Sequence, residues 1–152
     1  MHHAGFGKRF VAFWIDYLPI ALTTLAIAYF FLGFDTTVSR FLARAPGDFQ
    51  TRIEFLQERN RIRNASLCLY VLYCMVLEAS ALQGTLGKWL LGIQVVDTSG
   101  RRPSYTTALS RNLEKFLSFA ILGLGCLWVI WSPEKQAWHD SLAGTFVVTR
   151  DD

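Results

Sequence analysis

The fold class predicted for this chain is an all-α membrane protein, with about three membrane-embedded helices and a short β-ribbon in the extramembrane part. Three observations predict it. Of the 152 residues, 52% are hydrophobic and 18% charged, against roughly 45–50% apolar and about 25% charged in soluble domains. The apolar residues lie in blocks: residues 17–34 and 116–133 each run 18 residues without a charge, and 64–77 run 14. Two short β-prone pieces, Ile93–Asp97 and Thr145–Thr149, lie outside those blocks. The aromatic share of 14% excludes a disordered tail, because disorder requires low hydrophobicity and high charge. Net charge is +3, and no Lys/Arg run is long or aromatic-interleaved enough for nucleic acid. The lipid bilayer is the expected partner, and length allows a single domain over 1–152.

A helix needs roughly 20 mostly apolar residues to cross a core of about 30 Å, which sets the spans near 10–33, 62–82 and 112–132. A cleaved signal peptide is the alternative for the first. Its apolar stretch exceeds the roughly 7–15 residues of a signal core, it carries Asp16 and Pro19, and Pro46 follows the A-x-A-like Ala43-Arg44-Ala45. An uncleaved helix is therefore expected. Pro46-Gly47 then marks a turn, after which Phe49, Ile53 and Leu56 recur at spacings of four and three. That periodicity predicts an amphipathic helix running into the second span, with arginines toward headgroups. The second span is long enough only if Glu78 lies inside it. Gly84, Gly87 and Gly92 read as helix-packing or re-entrant backbone rather than a phosphate cradle. Residues 98–103 read as a turn between β-prone sequence and the third span. Cys68, Cys74 and Cys126 fall inside apolar runs without a CxxC pair, so they read as small hydrophobes.

Positive charge orients the chain only if the third run dips in and returns. Three full crossings leave seven Lys/Arg on one side and eight on the other, whereas a re-entrant third run leaves nine and six. The second arrangement favours a cytoplasmic N-terminus. Gly123-x-Gly125 is where such a break would sit, and the same topology lets the two β-prone pieces pair.

Ionisable residues inside or beside the spans carry the functional question, since a charge at mid-bilayer costs about 2.5–3.5 kcal/mol on insertion scales. Arg9 and Asp16 are seven apart, nearly one helical face. Pro19 cannot donate to the Ile15 carbonyl, which frees an acceptor beside Asp16. Glu78 is the matching acid on the second span. Two readings stand: Asp16 pairs with Arg9 or Lys88 in a structural role, or Asp16 and Glu78 bind a proton, a cation or a small solute with Arg9 as counter-charge.

The blocks Gly7-Lys8-Arg9-Phe10-Val11-Ala12-Phe13-Trp14-Ile15-Asp16, Gln83-Gly84-Thr85-Leu86-Gly87-Lys88 with Leu91 to Asp97, and Gln136-Ala137-Trp138-His139-Asp140 with Ala143-Gly144-Thr145 together resemble the RDD family, named for one arginine and two aspartates. Arg9 matches the arginine and Asp16 the first aspartate; the second resembles Asp140, with Asp97 a lesser candidate. The basic pair usual before Gln136 is reduced here to Glu134-Lys135. The resemblance implies a small integral membrane protein for which transport is proposed, here in a bacterial-type cell (inner) membrane. His139-Asp140 reads as a turn-capping aspartate beside Trp138 rather than a metal site, which needs three or more ligands. Neither a nucleophile with base and oxyanion loop nor a phosphate loop is present in the sequence. No enzyme activity and no cofactor are expected. Three helices are too few to enclose a pathway, so transport implies a homo-oligomer or other membrane subunits. The alternative is an accessory or interaction subunit whose charges fix helix packing.

Overall fold

A computed structural model describes residues 2–120 and 124–150. The chain is mostly helical, with one two-stranded sheet, and forms two compact units, residues 1–17 with 71–152 and residues 18–70.

Helix α1, Phe6–Phe31, opens the chain. At about 1.5 Å per residue its 26 residues reach roughly 39 Å, and among the described helices it alone is long and apolar enough to cross a membrane. Leu22, Phe30 and Phe31 stand exposed on it. Gly33, at φ 77°, takes the left-handed conformation that ends this run and starts α2, Phe34–Leu42. The expected turn at Pro46-Gly47 is present, and Asp48 Oδ1 accepts the Thr51 amide at 3.1 Å at the head of α3, Phe49–Glu78. In the 18–70 unit, Phe55 stacks on Phe41 of α2 at 4.1 Å between ring centroids.

The amphipathic segment and the second apolar run are indeed one helix, α3. That helix stops at Glu78, four residues short of the expected limit, because the chain turns through Ser80 and Gln83, which sits at φ 51°. Its last 18 residues hold Arg61, Arg63 and Glu78. The third run also differs from expectation. Helix α5, Tyr105–Ala120, begins seven residues before the expected 112, where Ser104 Oγ accepts the Thr107 amide at 3.1 Å as a helix cap. A short α6, Leu124–Leu127, and a 3₁₀ turn, Trp128–Ile130, follow. Gly123, half of the expected break, lies outside the described residues, and Gly125 falls within α6. Among the described residues one helix, α1, meets the length and apolarity needed to cross a membrane.

The ribbon forms as its sequence predicts. Strands β1, Ile93–Asp97, and β2, Thr145–Thr149, pair antiparallel with Val95 opposite Val147. Gly92 (φ 64°) and Gly144 (φ 59°) stand immediately before the two strands. An isolated two-stranded ribbon is marginal in water, and this one gains a partner. The Ala4 amide donates to Val147 O at 2.9 Å, the Thr149 amide to His2 O at 2.8 Å, and His3 bridges to Val148. Ile93, Val95 and Val147 then pack on Ala4 and Ala12, all essentially inaccessible. Helices α4, Leu86–Leu90, and α7, Trp138–Leu142, each precede a strand, and both lead to the site.

Candidate functional site

Strand β2 brings α7 beside the start of α1, and this places Asp140 against Arg9. The Arg9 guanidinium pairs through Nη1 with Asp140 Oδ2, while its Nη2 donates to Lys135 O at 2.5 Å and its Nε to Ala4 O at 3.0 Å. Arg111, from the second turn of α5, completes the other side of Asp140. Its Nε and Nη2 each lie 2.9 Å from Asp140 Oδ1, and its Nη1 lies 2.8 Å from Glu78 Oε2. Glu78 then pairs through Oε1 with Lys88 of α4 and accepts from Asn112 Nδ2 at 2.9 Å. Lys115 donates to Asn112 Oδ1 at 2.5 Å. The result is a chain, Arg9–Asp140–Arg111–Glu78–Lys88, whose Glu78, Asp140 and Arg111 are fully buried. Ionised groups are held out of water only when paired and hydrogen-bonded. Three bases face two acids in it.

Burial would raise the Asp140 carboxyl, but the Arg111 and Arg9 guanidiniums and the Ala137 amide hold it far below the usual carboxylate range. Burial pushes the His139 imidazole down to about 3, with Arg111 adding to the effect and Asp140 opposing it. His139 is therefore neutral at pH 7. The Lys88 ammonium is lowered by burial to about 8, with Glu78 opposing.

Asp16 stands apart from this chain of charges. Its Oδ1 accepts the Tyr73 hydroxyl at 2.9 Å and the Gly87 amide at 2.7 Å, and the same Tyr73 oxygen accepts the Leu86 amide at 3.0 Å. Its Oδ2 is buried without a hydrogen-bond partner among the described residues. Gly87 makes the approach of α4 possible. A Cβ there would lie 2.9 Å from Asp16 Oδ2 and collide with the Ala12 carbonyl, so glycine packing against a helix is the role of this part of the Gly-rich segment. The site thus holds one carboxylate oxygen of Asp16 with the Tyr73 hydroxyl and the Gly87 amide and leaves the other, Oδ2, without a donor among the described residues.

Two expectations are corrected. Arg9 is the ion-pair partner of Asp140, not of Asp16, because the ribbon carries Asp140 to the first turn of α1 while Asp16, two turns further along, meets α4. Lys88 pairs with Glu78 rather than with Asp16. Asp140 caps the Ala137 amide at 3.2 Å, as the turn-capping reading expected, but it is also a centre of the charge chain. Asp97 lies away from the cluster, its Oδ1 accepting the Ser99 and Arg101 amides at 2.7 and 2.9 Å in a turn. His139 lies against Asp140, with Nε2 3.4 Å from Oδ1. Sequence reasoning missed Arg111, Asn112 and Tyr73. The available signal was a base, Arg111, at the edge of an apolar run in a chain whose buried acids need counter-charges.

Comparisons with known proteins agree with the blocks that carry this geometry. The sequence model of the RDD family matches residues 3–144. The uncharacterized protein YxaI of Bacillus subtilis (strain 168) is 32% identical over 150 residues, 95% of this chain and 96% of that protein. The uncharacterized protein RP437 of Rickettsia prowazekii (strain Madrid E) is 34% identical over 65 residues, 42% of this chain and 35% of that protein. No solved structure matches the chain.

Proposed function

The chain belongs to the RDD family, and we propose that it is a multi-pass, transport-related protein of a bacterial-type inner membrane that takes up a proton or small cation at Asp16. The observation that carries this reading is Asp16 Oδ2, a buried carboxylate oxygen without a hydrogen-bond partner among the described residues. Leaving such an oxygen unmatched is costly, and intramembrane acids of this kind serve proton and ion pathways. The Ile15 carbonyl, which the ring of Pro19 leaves without its helical donor, adds a second acceptor on the neighbouring residue. Binding and release at this carboxylate require no covalent chemistry, so the protein works as a carrier or channel component and not as an enzyme. One chain encloses no pathway, so the reading includes a homo-oligomer or other membrane subunits.

The ribbon supports the topology. Residues 2–4, 93–97 and 145–149 are hydrogen-bonded together, so the chain between any two of them crosses the bilayer an even number of times. With the third run re-entrant, nine Lys/Arg share the side of the N-terminus, which makes that side cytoplasmic.

The test is Asp16→Asn in proteoliposomes carrying imposed proton, sodium or potassium gradients. The wild type is expected to dissipate one of them and the variant to leave it intact, with the helical content of the two equal. Equal dissipation by both proteins overturns the assignment of Asp16. A second reading, an accessory subunit, is favoured by the mutual pairing of Arg9, Asp140, Arg111, Glu78 and Lys88, which leaves those groups committed to packing. A partner chain co-purifying in mild detergent, together with unchanged fluxes in the variant, would make it the leading one.

A further inference from the structure

Within the unit of residues 18–70, α1, α2 and α3 border a half-open cavity of about 750 Å³, in the range of roughly 300–1,000 Å³ typical of ligand pockets. Its lining is divided by chemistry. Arg40, Glu58 and Arg61 line it together with the hydroxyls of Thr36 and Thr37, and from Ile62 the α3 wall turns apolar through Ala65 to Leu69. Glu58 and Leu69 are eleven residues apart on α3, so the polar and apolar ends are separated by about 16 Å along the helix axis. The apolar wall is not covered by protein, with Ile27 and Leu69 each about half exposed. An acyl chain fills such a wall, and the polar end states what the chain must be attached to.

That end holds both signs of charge. Arg61 pairs with Glu58 at 3.0 Å and Arg40 with Glu54 at 3.6 Å, with both guanidiniums well exposed. Exposed pairs of this kind are worth at most about 1 kcal/mol. A phosphate presents guanidiniums with a better, bidentate acceptor, and releasing Glu58 from Arg61 leaves a carboxylate free for an ammonium donor. We propose that this cavity binds one phospholipid of the surrounding bilayer whose headgroup carries both a phosphate and a primary amine, the phosphate on Arg40 and Arg61, the amine on Glu58, and one acyl chain along Ile62, Ala65 and Leu69. The assignment of headgroup follows from the two signs: a glycerol headgroup offers Glu58 no cation, and a quaternary amine offers it no hydrogen-bond donor. This inference rests on the membrane reading above.

The experiment is native mass spectrometry of the full chain purified in mild detergent and given equal amounts of phosphatidylethanolamine, phosphatidylglycerol and phosphatidylcholine. The wild type is expected to retain one phosphatidylethanolamine at least tenfold over either competitor. Arg40→Gln with Arg61→Gln should abolish retention of all three. Glu58→Gln should remove the preference over phosphatidylglycerol while leaving a lipid bound. Ala65→Trp, which fills the apolar end without touching a charge, should abolish retention by itself. Equal retention of the three lipids by the wild type, or unchanged preference in the arginine or glutamate variants, overturns the proposal, as does a copy of the chain or another protein occupying the groove with no lipid retained. A protein that stays dispersed without detergent defeats the membrane reading itself, a separate result.

Discussion

Changing Asp140 to asparagine tests the charge chain at its most connected acid. Asp140 is fully buried and meets Arg9 through Oδ2, Arg111 through Oδ1 at 2.9 Å, and the Ala137 amide at 3.2 Å. Asparagine keeps the volume and one acceptor oxygen, so neither a cavity nor a large shape change enters. It puts an NH₂ donor where a guanidinium or the Ala137 amide now donates, and it leaves three bases, two of them buried, facing Glu78 alone. Breaking a buried pair from one side costs about 3–5 kcal/mol, and no discount for solvent applies at a site without exposure. For a chain of this size about 2–4 °C of Tm accompanies each kcal/mol, so Asp140→Asn should lower Tm by about 6–20 °C in mild detergent, followed by circular dichroism or tryptophan fluorescence. Adding Arg9→Gln to it removes one unmatched base and should recover a substantial part of that loss, as coupled partners in a double-mutant cycle do. A drop under about 2 °C in the single variant would refute the reasoning, for it would mean that Asp140 carries no net charge interaction with the two arginines.

Gly87→Ala should cost about 1–3 kcal/mol, the usual range for overpacking, because its Cβ meets Asp16 Oδ2 at 2.9 Å and the Ala12 carbonyl closer still; thermal melts equal to wild type would show that α4 does not seat on α1 as described. The pH dependence has a definite sign. His139 is held at about 3 against an ordinary 6.5, so between those values the unfolded chain takes up a proton that the folded one refuses, and stability falls as pH drops below about 6.5. Asp140, whose pKa is depressed, adds a loss that starts only below its unfolded value of about 4. His139→Gln should therefore remove the decline between pH 6.5 and 4 in melts across that range and leave the more acidic one; a variant that declines as the wild type does would count against a neutral buried imidazole.

How much of this was legible in the sequence depended on whether the signal was local. Both strands carry their own β-propensity, and the glycines before them, Gly92 and Gly144, mark their starts, so β1 and β2 emerge with the bounds expected. The apolar length of α1 and the periodicity around Phe49, Ile53 and Leu56 are equally local. The partners of the charges are not. Helical spacing puts Arg9 and Asp16 on one face, yet it says nothing of what the ribbon and α4 carry to that face, and Asp140 and Gly87 arrive there by tertiary pairing. Arg111 was legible only as a flanking charge of an apolar run, since nothing nearby on its own helix announces two buried carboxylates. The end of α3 at Glu78 was hidden for a similar reason, as continued apolar sequence to Leu82 obscures a turn at Ser80 and Gln83.

The pairing of Arg9 with Asp140 spans 131 residues, and it has a consequence for how the protein is made. At 5–20 residues per second, Asp140 is synthesised about 7–26 seconds after Arg9, and β2, which holds it in place, follows it. For that interval α1 exists with its arginine unmatched and Ala4 without its strand. A chain that has reached α5 but not α7 holds Arg9 and Arg111 without the acid between them, so the ion-pair bridge from α1 to α5 closes only once α7 has been made.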